Sequence, residues 1–124
     1  MQIGELSKRT GIAASRIRFY EKHAVLPKAT RGDNGYREYP DTAVKLLGLI
    51  DGSQRLGFSL GEIRTALSES APRFPSHAAL TKALLGKLQT IDEHMKELRA
   101  RRREIVSLLA EIEREDAMPA ADCQ

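Results

Sequence analysis

Between Ala78 and Glu113 the chain has no proline and one glycine, Gly86, and its apolar residues fall on a single narrow stripe. Leu84, Leu88, Ile91, Met95, Leu98, Ile105, Leu109 and Ile112 alternate spacings of four and three, with Arg102 taking one place in the line. This is a heptad repeat, and at ~1.5 Å per residue a helix over 78–113 runs roughly 54 Å. A small domain cannot cover a seam of that length, so the helix needs a partner, most simply a second copy of itself. The competing arrangement packs the seam on the chain's own N-terminal part, and length opposes it for most of the helix. Arg102 on the seam costs stability but can set register. The run Arg101-Arg102-Arg103 resembles a polyanion patch, yet Asp92, Glu93, Glu97 and Glu104 surround it, which favours ion pairing.

The residues before the seam carry a different signal. The 124-residue chain is 41% hydrophobic and 30% charged, which excludes a disordered tail. No apolar run approaches the ~18 residues of a spanning helix, so no membrane association is expected. Met1 to Glu5 does not open a secretory leader. The single cysteine, Cys123, forms no internal disulfide and fits a reducing cytoplasm. The net charge of +3 hides a polarity: residues 1–40 hold eight Lys/Arg against four Asp/Glu, whereas 71–124 hold nine of each. Phe19, Tyr20, Tyr36 and Tyr39 also fall in the first forty. A basic, tyrosine-containing head on a neutral tail suits a polyanion, although the same excess also fits an ordinary solvated surface.

The head reads as two short helices and a hairpin. Ile3 and Leu6 anchor a first helix that Thr10-Gly11 breaks. Ile12 turns inward, and Ala14 to Lys22 forms a second helix with Ile17, Phe19 and Tyr20 as apolar anchors beside Arg16, Arg18 and Lys22. Two helices joined by a tight glycine turn make a helix-turn-helix, whose second helix fits the roughly 12 Å major groove of B-DNA. Asn34-Gly35 favours positive φ and a tight hairpin, which puts Arg31, Tyr36 and Arg37 on a two-stranded protrusion able to reach phosphate oxygens. A third helix runs from about Asp41 to Leu56, with Val44, Leu47 and Ile50 inward and Leu46 and Leu49 beside them. Ser59 and Glu62 form a capping box for a fourth, Phe58 can staple onto Ile63, and Pro72 and Pro75 mark a break.

Taken in order, Ile3-Gly4-Glu5-Leu6, Ile17-Arg18-Phe19-Tyr20-Glu21, Asn34-Gly35-Tyr36-Arg37 and Leu56-Gly57-Phe58-Ser59-Leu60-Gly61-Glu62-Ile63 resemble the MerR family of bacterial transcriptional regulators. The resemblance implies a mainly α fold: a winged helix-turn-helix DNA-binding head with a small β-hairpin wing over 1–71, a linker at 72–77, a dimerisation helix over 78–113 in an antiparallel coiled-coil homodimer, and a flexible tail at 114–124. By similarity, Arg18 and Tyr20 on the recognition helix and Tyr36 and Arg37 on the wing contact DNA. Arg31 matches a position that is often basic, and Ser15 and Arg16 match variable positions that carry sequence preference. Members typically bind a palindromic site in double-stranded promoter DNA with an unusually long spacer. An effector then leads the dimer to bend and untwist it so that RNA polymerase engages both promoter elements. Ala24 departs from the family's usual glycine, which costs on the order of 1 kcal/mol if that position needs positive φ. Ala13 replaces a frequent capping hydroxyl.

The effector is the poorly determined part. Metal-sensing members resemble one another in two cysteines flanking a short loop after the long helix. Here Ile112 stands where the first would fall, and Met118 to Cys123 keeps a trace of the loop. Soft-metal binding wants at least two thiolates or imidazoles together, so the cysteine count supports no metal site and excludes a four-cysteine iron–sulfur cluster. A site made of His77 from one chain and Cys123 or Met118 from the other is a weak candidate. No Ser/His/Asp grouping, metal-ligand spacing or phosphate-binding glycine loop points to an enzyme, and His23, His77 and His94 are scattered. The other class compatible with these residues is a coiled-coil adaptor with a basic head, which steep salt dependence of DNA binding would exclude.

Overall fold

The computed structural model describes residues 1–71 and 73–117. Within them α1 (Ile3–Thr10), α2 (Ala14–Lys22), β1 (Thr30–Arg31), β2 (Arg37–Glu38), α3 (Thr42–Arg55), α4 (Leu60–Ser70) and α5 (His77–Ala117) follow in order. Two units divide the chain, the first Met1–Thr81 and the second from Lys82 onward.

In the first unit the α1–α2 turn is fastened by its own polar side chains. Gly11 takes the left-handed conformation (φ 72°) and its N–H donates to the Ser7 carbonyl at 2.9 Å. The Ser7 hydroxyl donates to the Ile12 carbonyl at 2.7 Å, and Thr10 Oγ1 accepts from the Ile12 N–H at 3.2 Å. A side chain at Gly11 would strain this reversal. Ala13, at the capping position before α2, supplies no side-chain cap, as the missing hydroxyl foretells. The chain then turns at Ala24, whose φ of 57° confirms that alanine occupies a position suited to glycine.

Leu6, Ile12, Ile17, Tyr20, Val25, Leu26, Tyr39, Ala43, Leu47, Ile50 and Ile63 form one buried cluster. Each large member removed from water contributes about 1.5–3 kcal/mol. On α3 the buried line is Ala43, Leu47 and Ile50, not Val44, Leu47 and Ile50. A spacing of four then three tracks a 3.6-residue period better than two threes, so Val44 and Leu46 flank the cluster. Phe19 is 41% exposed, its ring against His23, so it is not the inward anchor expected. The α4 capping box is present: Ser59 Oγ accepts from the Glu62 N–H and Glu62 Oε1 from the Ser59 N–H, both at 3.0 Å.

The hairpin differs in detail from a two-residue Asn-Gly turn. Gly32 accepts from the Gly35 N–H at 2.9 Å, and only Gly35 of the pair has positive φ (80°). The loop is therefore one residue longer, three residues from Asp33 to Gly35, closed by a left-handed glycine. β1 and β2 pair antiparallel, with Thr30 opposite Glu38 and Arg31 opposite Arg37.

In the second unit, the seam residues Leu84, Leu88, Ile91, Met95, Leu98, Ile105, Leu109 and Ile112 are 40–59% exposed, and Arg102 is exposed among them. α5 starts one residue before the expected span and continues past Glu113 to Ala117, so 114–117 are helical rather than tail. No proline interrupts the helix before Pro119. The rest of the expected tail, 118–124, lies outside the described residues.

Candidate nucleic-acid interface

The recognition helix presents alternating faces. Ile17, Tyr20 and Glu21 point inward, whereas Ser15, Arg16 and Arg18 are exposed. Tyr20 is fully buried, which corrects its assignment as a DNA contact: a ring with no exposed surface cannot reach a groove. Its role is positional. The Arg16 Nε donates to the Tyr20 oxygen at 2.9 Å, and the Tyr20 hydroxyl donates toward Gln54 Oε1 at 2.7 Å, with Asp51 Oδ1 at 3.1 Å. Arg16 Nη2 donates to Gln54 at 3.0 Å, and Arg16 Nε lies 3.2 Å from Asp51. Arg55 reaches the other Asp51 oxygen at 3.6 Å. The bond to Tyr20, reinforced by the Asp51 carboxylate, holds the Arg16 guanidinium still more firmly protonated than usual. Burial pushes the Tyr20 phenol up.

The wing is tied to the same helix from the other side. Glu21 is the one buried carboxylate among the described residues, at 6% exposure. It accepts from the Tyr39 hydroxyl through Oε1, accepts from the Ala29 N–H at 3.4 Å, and lies 3.8 Å from Arg37 Nη1. A buried charge survives only when hydrogen-bonded and paired, and Glu21 is both. Burial, with the Glu21 bond, pushes the Tyr39 phenol up to about 12. At the far end of α2, Arg64 Nε of α4 donates to the His23 carbonyl at 2.9 Å.

These ties bring Arg18 of α2 together with Tyr36 and Arg37 of the wing. With Gln2, Ile3 and Tyr39 they line one concave face. Arg18, Tyr36 and Arg37 are exposed there. Arg31 stands directly opposite Arg37 in the ribbon, so the two side chains leave the same face. Like charges placed so are unfavourable alone, and an anion between them removes the penalty. Arg16 is not part of this face; its guanidinium is turned to α3, and Ser15 is exposed beside it at the start of α2.

Sequence reasoning missed Asp51, Gln54, Gln2 and the inward direction of Glu21. For Glu21 a signal existed, since positions 17, 20 and 21 share one helical face. His77 opens α5 and is exposed. Cys123 and Met118 lie outside the described residues. Among the described residues no three His, Cys, Asp or Glu side chains are grouped as metal ligands would be, and no helix is long and apolar enough to cross a membrane.

The chain is similar to known proteins in both sequence and fold. The family described as MerR HTH regulatory protein matches residues 1–70, and the one described as MerR, DNA binding matches 44–108. The HTH-type transcriptional regulator CueR of Yersinia pestis is 31% identical over 123 residues, spanning 99% of this chain and 86% of that protein. The transcription regulator PbrR691 of Ralstonia metallidurans, solved in complex with lead(II), superimposes with a TM-score of 0.69 at 29% identity, covering 89% of this chain and 86% of that one. HiNmlR, a regulator lacking the sensor domain and solved bound to promoter DNA, shares the fold at 20% identity, with a TM-score of 0.58 over 99% of this chain and 98% of that one.

Proposed function

The chain belongs to the MerR family of helix-turn-helix regulators, and on that premise we propose how this dimeric DNA-binding regulator engages a promoter. Each head inserts α2 into a major groove and closes its wing on the adjoining backbone. Arg18, Arg31, Tyr36 and Arg37 hold phosphates; Ser15, near the start of α2, faces base edges, and Arg16, bonded to α3 in the free protein, turns to them on binding. Two heads joined by twofold symmetry require two inverted half-sites, hence a palindrome. The dimer stabilises a deformed spacer in response to an effector, which lets RNA polymerase engage both promoter elements.

One observation carries this reading. Arg18 and the pair Tyr36–Arg37, far apart in sequence and on different elements, line the same exposed face. Two guanidinium groups and a phenol on one concavity match successive backbone phosphates. The test is duplex binding by fluorescence anisotropy across a salt series. Arg18→Ala and Arg37→Ala are each expected to weaken every duplex about equally and to reduce the salt slope by about one. Affinity unchanged in both variants refutes the phosphate assignment.

A further inference from the structure

Resting on the reading that Arg16 turns to base edges, we propose that Asp51 limits the head's affinity for DNA by competing with the bases for the Arg16 guanidinium.

The competition starts from the geometry of α2. Ser15, Arg18 and Lys22 are exposed and spaced three and four apart, so they form one line along the helix. Arg16 stands about 100° round the helix from Ser15, on the side of Tyr20. Its side chain follows that side to the last turns of α3. Nε donates to the Tyr20 oxygen at 2.9 Å and lies 3.2 Å from Asp51 Oδ1, while Nη2 donates to Gln54 Oε1 at 3.0 Å. The guanidinium carbon is 5.5 Å from the centre of the Tyr20 ring. An arginine that reads guanine aims two parallel N–H groups at O6 and N7. To bring them to the line of Ser15 and Arg18, Arg16 has to leave α3. Tyr20 and Gln54 are neutral, so Asp51 is the partner that holds it by charge. The Asp51 side chain is 22% exposed and that of Arg16 52%, so water only partly screens the pair.

The other members stay satisfied when Arg16 departs. Asp51 Oδ2 keeps Arg55 Nη2 at 3.6 Å. The Tyr20 hydroxyl still has an acceptor, with Gln54 Oε1 at 2.7 Å and Asp51 Oδ1 at 3.1 Å. Release therefore breaks a half-exposed ion pair and strands no buried polar group. The work of release is subtracted from the binding of every duplex to which Arg16 turns. On a duplex that offers Arg16 a poor contact the guanidinium stays on α3, and nothing is lost. Asp51 thus lowers affinity without adding selectivity.

The test is a double-variant cycle on the full chain, read by fluorescence anisotropy with a duplex recovered by selection from random DNA. Asp51→Asn keeps the shape of the side chain and removes its charge. It is expected to bind that duplex roughly threefold more tightly, as release of a partly exposed ion pair allows. In an Arg16→Ala background the same substitution is expected to gain much less, because no guanidinium is left to release. An equal gain in both backgrounds overturns the proposal, since it reports only a carboxylate removed from the field of the phosphates. Weaker binding by Asp51→Asn overturns it as well: Asp51 then steadies Arg16 for the bases. If Arg16→Ala alone changes neither affinity nor base preference, the reading of Arg16 as a base contact fails, and the proposal with it. Asp51→Ser repeats the cycle with no amide to bond Arg16, and serves if Asp51→Asn does not fold. Without DNA, the Arg16 Nε–H of the free protein is expected to exchange with water faster in Asp51→Asn. An unchanged exchange rate shows that Asp51 does not hold the side chain.

Discussion

Ala24 is the position where a substitution is expected to improve the protein. α2 must stop and reverse after Lys22 so that Val25 and Leu26, 3% and 2% exposed, enter the core. The reversal is fixed by three backbone bonds: the Ala24 N–H to the Glu21 carbonyl at 3.0 Å, and the Val25 and Leu26 N–H groups to the Tyr20 carbonyl at 3.0 and 3.2 Å. Ala24 meets this geometry at φ 57°, where its Cβ crowds the carbonyl oxygen. That crowding costs about 1–2 kcal/mol. Glycine removes it, but raises the entropy of the unfolded chain by about 0.4–1 kcal/mol. The Ala24 methyl is exposed, so its loss forfeits little burial. At mid-range the two leave a net gain for Ala24→Gly of about 0.8 kcal/mol, a rise of about 3–6 °C in melting temperature for a head of this size. Urea titration at one fixed protein concentration reads it, since dimer formation makes the midpoint concentration-dependent. Ala100→Gly, in the regular helix α5, serves as the control and is expected to lose about 0.5–1 kcal/mol. If Ala24→Gly leaves the midpoint unchanged or lowers it, strain at this turn is not a cost the protein carries.

Two further outcomes follow from the polar ties of α2. The Tyr39 phenol titrates near 12 in the folded protein and near 10 when unfolded, so the folded state keeps its proton longer. Its stabilising contribution is whole below about pH 10 and is lost as pH rises from there toward 12. Urea midpoints between pH 9 and 12 are expected to fall more steeply for the natural protein than for Tyr39→Phe; parallel curves contradict the linkage. The second concerns Arg16, held by Gln54 at 3.0 Å. Selection from random duplexes is expected to show Arg16→Ala and Gln54→Ala altering preference at the same base positions, with the double variant no worse than Arg16→Ala alone. Independent, additive effects would separate the two residues.

The helices were legible where their punctuation is local. Gly11 ends α1, Ser59 and Glu62 start α4, and the Ala24 conformation could be anticipated from a glycine-demanding place in the chain. The exposure of Arg18, Arg31, Tyr36 and Arg37 was legible because cations at a hairpin and on a short helix have few interior uses. Tyr20 was misassigned because the family motif spoke for contact while the helical period spoke for burial, and burial prevails once Ile17 fixes the inner face. Asp51 and Gln54 left no local trace. Their partners on α2 are more than thirty residues away, and polar residues in the last turns of a helix ordinarily face water.

Tyr20 and Glu21 are neighbours on α2 that reach opposite ways. Tyr20 bonds to Gln54 and Asp51 of α3, and Glu21 bonds to Tyr39 and Ala29 at the base of the wing. One turn of the reading helix is thereby fastened on both flanks by buried or half-buried groups. Loosening either side leaves a polar atom inside without a partner, a cost of about 1–3 kcal/mol. The spacing between α2 and the wing is therefore set before DNA arrives. When a stiff template meets a softer duplex, the duplex adjusts. Smooth bending of a site of ~20–30 base pairs costs about 1–6 kcal/mol, within reach of several phosphate contacts on each head. If the head is to deform DNA as proposed, it must resist deformation itself, and the neighbouring residues Tyr20 and Glu21 supply that resistance.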